Sequence, residues 1–226
     1  PLVLRGGRLV VRFDAVLFDC DGVLVDSEPI VNGVLRDMLA ERGWHLTEAE
    51  CMRIFIGKMV RDERERIERE TGRPLTEAWL TEFRERRNAA LESELRIVTN
   101  AQAAVHEVHE RLDARIACAS GADRHKVELQ LRKVGLHGYF EGRIFSGHEM
   151  PRSKPHPDVY LAAAAALSAP PQRCAVVEDT LIGTAAGLAA GATVLAYVPQ
   201  GEAEPFLRAG VAAVFSDMAQ LPALLA

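Results

Sequence analysis

The chain has 226 residues, 48% of them hydrophobic and 26% charged, with a formal net charge of −5. That balance is ordinary for a folded protein and excludes disordered and collagen-like classes. It offers no basic stripe for a nucleic-acid phosphate backbone, and no run approaches the roughly 18 apolar residues needed to cross a bilayer.

The opening Pro1-Leu-Val-Leu-Arg-Gly-Gly-Arg-Leu9 is broken by glycines and arginines, so no signal peptide is expected there, and the missing initiator Met suggests a trimmed start. The first clear element is the apolar run Ala15-Val-Leu-Phe18, read as a buried strand. Next comes a charged block: residues 27–94 hold 15 acids and 12 bases, against 17 and 15 in the other 158 residues. Its periodicity predicts helices over 30–39, 48–55, 60–70 and 76–91, with Arg61/Glu65, Asp62/Arg66 and Glu65/Arg69 as ion pairs four apart. Trp44 and Trp79 are expected to pack within these helices.

Beyond the block, Ala114–Ala119, Cys174–Val177 and Ala192–Ala196 are further apolar runs. Each is followed by turn residues and a helical period, which implies parallel strands covered on both faces. The expected architecture is α/β: a doubly wound parallel-sheet core, residues 1–26 and 95–226, with a helical cap domain, 27–94, inserted after the first strand. Cys20, Cys51, Cys118 and Cys174 show no metal-binding spacing. Three of them sit in strand-like runs, so they are read as buried hydrophobes, and their reduced state points to the cytoplasm.

Ligands of open parallel sheets bind beyond the carboxyl ends of the strands. Those positions hold Asp19-Cys-Asp-Gly22, Ser120-Gly121 and Glu178-Asp-Thr180, and Lys154 lies in the loop-like Arg152–Pro157. Taken singly, Ser120 would be a helix cap, Lys154 a solvated side chain and Glu178-Asp179 a cap for the next helix. Together they bring carboxylates, a hydroxyl and an ammonium to one rim, and hard oxygen ligands of this kind favour Mg²⁺. A calcium loop does not fit, because counting from Asp19 places Val23 and Ile30 at ligand positions. The functional reading makes Asp19 a nucleophile and Asp21 the proton-transfer group.

Phe18–Glu28, Ser120, Ser153–Asp158 and Val177–Gly183 resemble the four motifs of the haloacid dehalogenase superfamily, in its phosphatase branch. That branch includes phosphoglycolate phosphatases, sugar phosphatases and β-phosphoglucomutase. The resemblance runs from about Asp14 onward, and Phe145–Gly147 with Pro151–Asp158 looks most like the 6-phosphogluconate phosphatase type. Thr180 departs from it, standing where a serine is more usual.

The resemblance implies an aspartyl-phosphate mechanism. Asp19 attacks phosphorus and Asp21 serves as acid and then base. Ser120, Gly121 and Lys154 bind the phosphoryl oxygens. Mg²⁺ is held by Asp19, the backbone carbonyl of Asp21 and Asp179, with support from Glu178. In the cap, Glu28 is expected at the hinge, and Gly57 with Lys58 in a loop that reads the substrate; the cation of Lys58 opposes the following helix dipole and so lacks a structural reason. The partner is a small phosphate ester, most simply a sugar or sugar-acid phosphate, with neither nucleic acid nor membrane and a monomer or weak dimer as the assembly. A phosphomutase remains an alternative within the family, and a receiver-like phospho-acceptor domain an alternative of another class.

Overall fold

The computed structural model describes residues 3–4 and 13–225. Apart from Val3–Leu4, the sequence reading of the first nine residues lies outside the described residues. The chain divides into two compact units, Pro1–Val25 with Ile97–Ala226, and Asp26–Arg96.

The larger unit is built on seven strands among the described residues: β1 (Val3–Leu4), β2 (Ala15–Phe18), β3 (Ile116–Ser120), β4 (Ile144–Ser146), β5 (Cys174–Glu178), β6 (Thr193–Tyr197) and β7 (Ala213–Phe215). Their order is β1-β7-β6-β5-β2-β3-β4, and only the β1–β7 pairing is antiparallel. The chain steps outward one way through β2, β3 and β4, then returns and steps the other way through β5, β6 and β7. The topological switch therefore falls between β2 and β5, where Phe18 lies opposite Val177. Strands β2, β3 and β5 are buried along their whole length, as strands covered on both faces must be.

The smaller unit holds helices α1 (Glu28–Ala40), α2 (Glu48–Phe55), α3 (Arg64–Thr71) and α4 (Glu77–Glu94). Leu35, Leu39, Phe55, Ile67, Leu80 and Phe83 form its own apolar core. Thr47 caps α2 in a reciprocal pairing with Glu50, and Thr76 caps α4. Trp79 is buried, and Trp44 meets Phe55 edge to face at 5.9 Å, so both tryptophans pack as expected.

One predicted helix is not continuous. Residues 60–63 form a 3₁₀ turn, and α3 begins only at Arg64. Tight first turns of this kind are common where a helix has no side-chain cap, and Glu63, at ψ 18°, breaks the α register. The expected pairs four apart do not form: Arg61 bonds Glu77, Arg66 bonds Glu63 and Arg69 bonds its neighbour Glu70. The short strands β4 and β7 escape sequence reading because three residues carry too little periodicity.

The helices of the larger unit are α5 (Ala101–Arg111), α6 (Arg124–Lys133), α7 (His137–Phe140), α8 (Asp158–Ala166), α9 (Leu181–Ala189), α10 (Glu204–Ala209) and α11 (Leu221–Leu224). Small residues bring α9 tight against the sheet: a Cβ at Gly187 would lie 2.8 Å from Val194 Cγ2. All four cysteines are free and buried; Cys118 and Cys174 lie in strands, Cys20 just past β2, and Cys51 on α2.

Candidate active site

The site grows from the carboxyl ends of β2, β3 and β5. Asp19 directly follows β2, and its N–H still donates to Val177 O at 3.0 Å, so the neighbouring strand fixes its backbone. The chain then folds back at once: Leu24 and Val25 N–H both donate to Cys20 O. Gly22 makes this turn possible at φ +78°, and a Cβ there would overlap the Asp179 carboxylate.

Lys154 reaches across the switch point. Its Nζ lies 2.7 Å from Asp19 Oδ1 and 2.7 Å from Glu178 Oε1, with all three side chains nearly excluded from solvent. The ammonium also stands 4.7 Å above the Tyr160 ring. Burial pushes the Asp19 carboxyl up to about 7; Lys154 opposes that shift, while Glu178 and Asp21 add to it by repulsion. Burial also disfavours charge on Lys154, but Asp19 and Glu178 outweigh it and hold the ammonium well above its usual range. For Glu178, burial is outweighed by Lys154 and by hydrogen bonds, so its carboxyl sits below the usual range.

Glu178 is saturated with donors. Oε1 accepts from Lys154 and from the Tyr160 hydroxyl at 2.8 Å; Oε2 accepts from the N–H of Asp179, the N–H of Thr180 and the Thr180 hydroxyl at 3.0 Å. Thr180 in turn caps α9 by accepting from Gly183 N. The threonine hydroxyl thus supplies both contacts this position requires. A Cβ at Gly183 would overlap the Glu178 carboxylate, so the loop and the helix start are built around that side chain.

Ser120 ends β3, fully buried, and its Oγ accepts from Ala122 N at 3.1 Å. Ser146, at the matching end of β4, donates to Ala122 O at 2.6 Å and so ties the loop holding Ser120 and Gly121 to the next strand. Gly147 lets that loop approach closely: a Cβ there would lie 3.2 Å from Gly121 Cα.

Asp19, Asp21, Ser120, Gly121, Lys154, Glu178 and Asp179 thus lie along one rim of the sheet. Among the described residues, Asp19, Glu178 and Asp179 offer carboxylate oxygens within 4.8 Å of one another. Such an all-oxygen cluster suits a hard divalent cation, and the turn at Gly22 leaves room for the Asp179 carboxylate that a side chain would fill. Glu28, Gly57 and Lys58 belong to the other unit. There Glu28 Oε2 accepts from Asn32 Nδ2 at 3.0 Å, Gly57 adopts φ +69°, and Lys58 Nζ pairs with Glu63 at 2.8 Å. That pair supplies the local reason for Lys58 that helix-dipole reasoning alone did not find.

Sequence reasoning missed Lys126, Gln130 and Tyr160. Lys126 Nζ and Gln130 Nε2 donate to Asp21 Oδ1 at 2.7 and 2.8 Å. The available signal was their i, i+4 spacing on the helix after Ser120, but that spacing fits a solvated face equally well.

Gly22→Ala is expected to cost about 1–2 kcal/mol from the left-handed backbone alone. It should also displace Asp179, so that Mg²⁺ raises the melting temperature of the variant less than that of the wild type. Thermal denaturation with and without Mg²⁺ checks both effects.

An open parallel sheet with an acidic cluster and a buried lysine at its switch point is the layout of an α/β enzyme. Residues 13–191 match the haloacid dehalogenase-like hydrolases, and the chain belongs to that family. It is 29% identical over 214 residues to the 6-phosphogluconate phosphatase of Escherichia coli, covering 94% of this chain and 95% of that protein. It is 34% identical to a family hydrolase from Deinococcus radiodurans solved with bound phosphate and sodium, at a TM-score of 0.75, covering 95% and 98% of the two chains. A haloacid dehalogenase-like protein of unknown function from Agrobacterium tumefaciens matches at 32% identity and TM-score 0.79, over 94% and 97%. The chain is a hydrolase whose relatives include phosphatases.

Proposed function

We propose that the protein is a cytoplasmic, Mg²⁺-dependent phosphatase of a small phosphorylated metabolite, a sugar or sugar-acid phosphate of the 6-phosphogluconate kind. The observation that carries this reading is the Lys154 ammonium bridging Asp19 and Glu178 beside the Asp179 carboxylate. Support for the substrate class comes from the 6-phosphogluconate phosphatase and hexitol phosphatase relatives.

In the first step an Asp19 carboxylate oxygen forms a bond to phosphorus. The ester P–O bond breaks, and the leaving oxygen takes a proton from the Asp21 carboxyl. In the second step a water attacks the acyl phosphate and gives a proton back to Asp21; the O–P bond to Asp19 breaks and inorganic phosphate leaves. Lys154 neutralises charge beside the nucleophile. Ser120 already accepts a backbone N–H, so its hydroxyl hydrogen is available to a phosphoryl oxygen. Mg²⁺ would be held by Asp19, Asp179 and the Asp21 carbonyl, and when bound supplies positive charge against the phosphoryl oxygens. Glu178, with its oxygens committed to five donors, supports the loop and Lys154.

The test is a phosphate-release screen with Mg²⁺ over sugar phosphates, phosphoglycolate and 6-phosphogluconate. Release from a sugar or sugar-acid phosphate is expected. Conversion to an isomer with little free phosphate would instead establish a phosphomutase, and absence of turnover on all of them would sink the reading.

The core residues read only the phosphoryl group that all these substrates share. We therefore assign discrimination to residues 26–96, with Lys58 as the candidate cation. Lys58→Ala is expected to lower kcat/KM on the preferred substrate by roughly 10–150-fold, the worth of a charged contact, and to leave p-nitrophenyl phosphate almost unaffected. Equal losses on both would reduce Lys58 to the partner of Glu63.

A further inference from the structure

Helix α6 carries two buried polar side chains to which the reaction just described gives no part. Lys126 is 6% exposed and Gln130 is fully buried. A lysine this deep needs a partner, because an unpaired buried ammonium is among the costliest groups a fold can hold. Its partner is Asp21, whose Oδ1 accepts from Lys126 Nζ at 2.7 Å and from Gln130 Nε2 at 2.8 Å. The two donors stand one helical turn apart, so both reach the same oxygen from one face of α6. Asp123 caps that helix by accepting from Lys126 N, which fixes the register of the turn that carries them.

Gln130 is itself oriented. The Cys20 thiol donates to its Oε1 at 3.5 Å. With the amide oxygen committed there, the NH₂ group faces Asp21. The residue between the two aspartates therefore sets the amide that holds the second of them.

We propose that Lys126 and Gln130 are positioning residues which pin Asp21 Oδ1, so that Oδ2 is the oxygen presented to the reacting centre. The proton moves from Oδ2 to the leaving ester oxygen in the first step and returns to it from the attacking water in the second. The inference rests on the proton-transfer role given to Asp21 above. It differs from a plain buried ion pair in one respect: its effect must act through Asp21 and must grow with the leaving group's need for a proton.

The experiment measures kcat/KM with Mg²⁺ on phenyl phosphate and on p-nitrophenyl phosphate. The variants are Lys126→Met and Gln130→Met, each alone and combined with Asp21→Asn, with thermal melting as the fold control. Misplacing a catalytic group by about 1 Å costs on the order of 10²-fold, so a fall of roughly 10–100-fold is expected on phenyl phosphate and less than about threefold on p-nitrophenyl phosphate. In the Asp21→Asn background the added substitution should change kcat/KM by less than about twofold, since residues acting as a unit are not additive. Rescue by Lys126→Arg to within about threefold of wild type on phenyl phosphate would support a held orientation. Equal losses on both esters, or a full additional loss in the Asp21→Asn background, would overturn the inference. If Lys126→Met fails to fold, Gln130→Met decides by the same criteria. Should Asp21→Asn leave phenyl phosphate turnover unchanged, the acid–base reading itself falls. Should Asp21→Asn be impaired while both single variants match wild type, only the pinning falls.

Discussion

Asp19→Asn is expected to abolish steady-state turnover while leaving the protein folded. The amide has no lone pair suited to attack phosphorus, and it removes one carboxylate from the cluster with Glu178 and Asp179. Stability should hold or rise: the wild-type carboxyl is buried enough to be pushed up to about 7, and a neutral group in its place still accepts from Lys154. Lys154 meanwhile keeps its contact with Glu178 at 2.7 Å. Loss of a key nucleophile in hydrolytic enzymes costs on the order of 10⁴-fold or more, so residual activity above about one per cent would remove Asp19 from that role. Steady-state phosphate release paired with a melting curve makes the measurement.

Asp21→Asn should impair both half-reactions and spare the nucleophile. General acid–base assistance is worth about 10²–10⁴-fold, and kcat/KM on phenyl phosphate should fall within that range. p-Nitrophenyl phosphate needs little protonation as it leaves, so its first step should persist as a burst. The phosphoenzyme should then accumulate, because the water of the second step lacks its base. A variant that turns over phenyl phosphate at the wild-type rate, or that shows no burst, would contradict the assignment. Lys126 loses its charged partner in this variant but keeps a carbonyl oxygen to bond. The melting loss should therefore not exceed the worth of a charged hydrogen bond, about 1.5–3 kcal/mol.

Much of this site is legible in the amino-acid sequence. Asp19 and Asp21 follow a four-residue strand with no polar interruption, Ser120 closes another, and Glu178-Asp179 closes a third. In a parallel sheet all such ends share one edge, so apolar runs with polar terminations reveal both the layout and the rim. Gly22 is legible for a related reason, since a turn this close to two carboxylates requires positive φ. The break at residues 60–63 is not legible: charged residues fit a 3₁₀ turn and an α-helix alike, and the turn takes Arg61 and Asp62 out of α register with Glu65 and Arg66. Glu65 and Arg69 do share α3, but Arg69 turns to its neighbour Glu70 instead.

The alternation of short apolar strands with helical periods, the charged helical insertion and the identity of the rim residues were determined by the sequence itself, because each depends on periods of two or 3.6 residues within a short window. The strand order, with its switch between β2 and β5, was decided only by the tertiary structure. So were the partners of the buried polar groups. Lys126 meets Asp21 across 105 residues, and Tyr160 meets Glu178 from a different helix. The physical reason is that burial turns a helix toward the sheet as a whole, and a local pattern shows which face is apolar but not which distant carboxylate lies beneath it. A lysine and a glutamine four residues apart read as solvent-facing until the fold closes over them; once it does, the cost of burying them unpaired leaves Asp21 as the group they must hold.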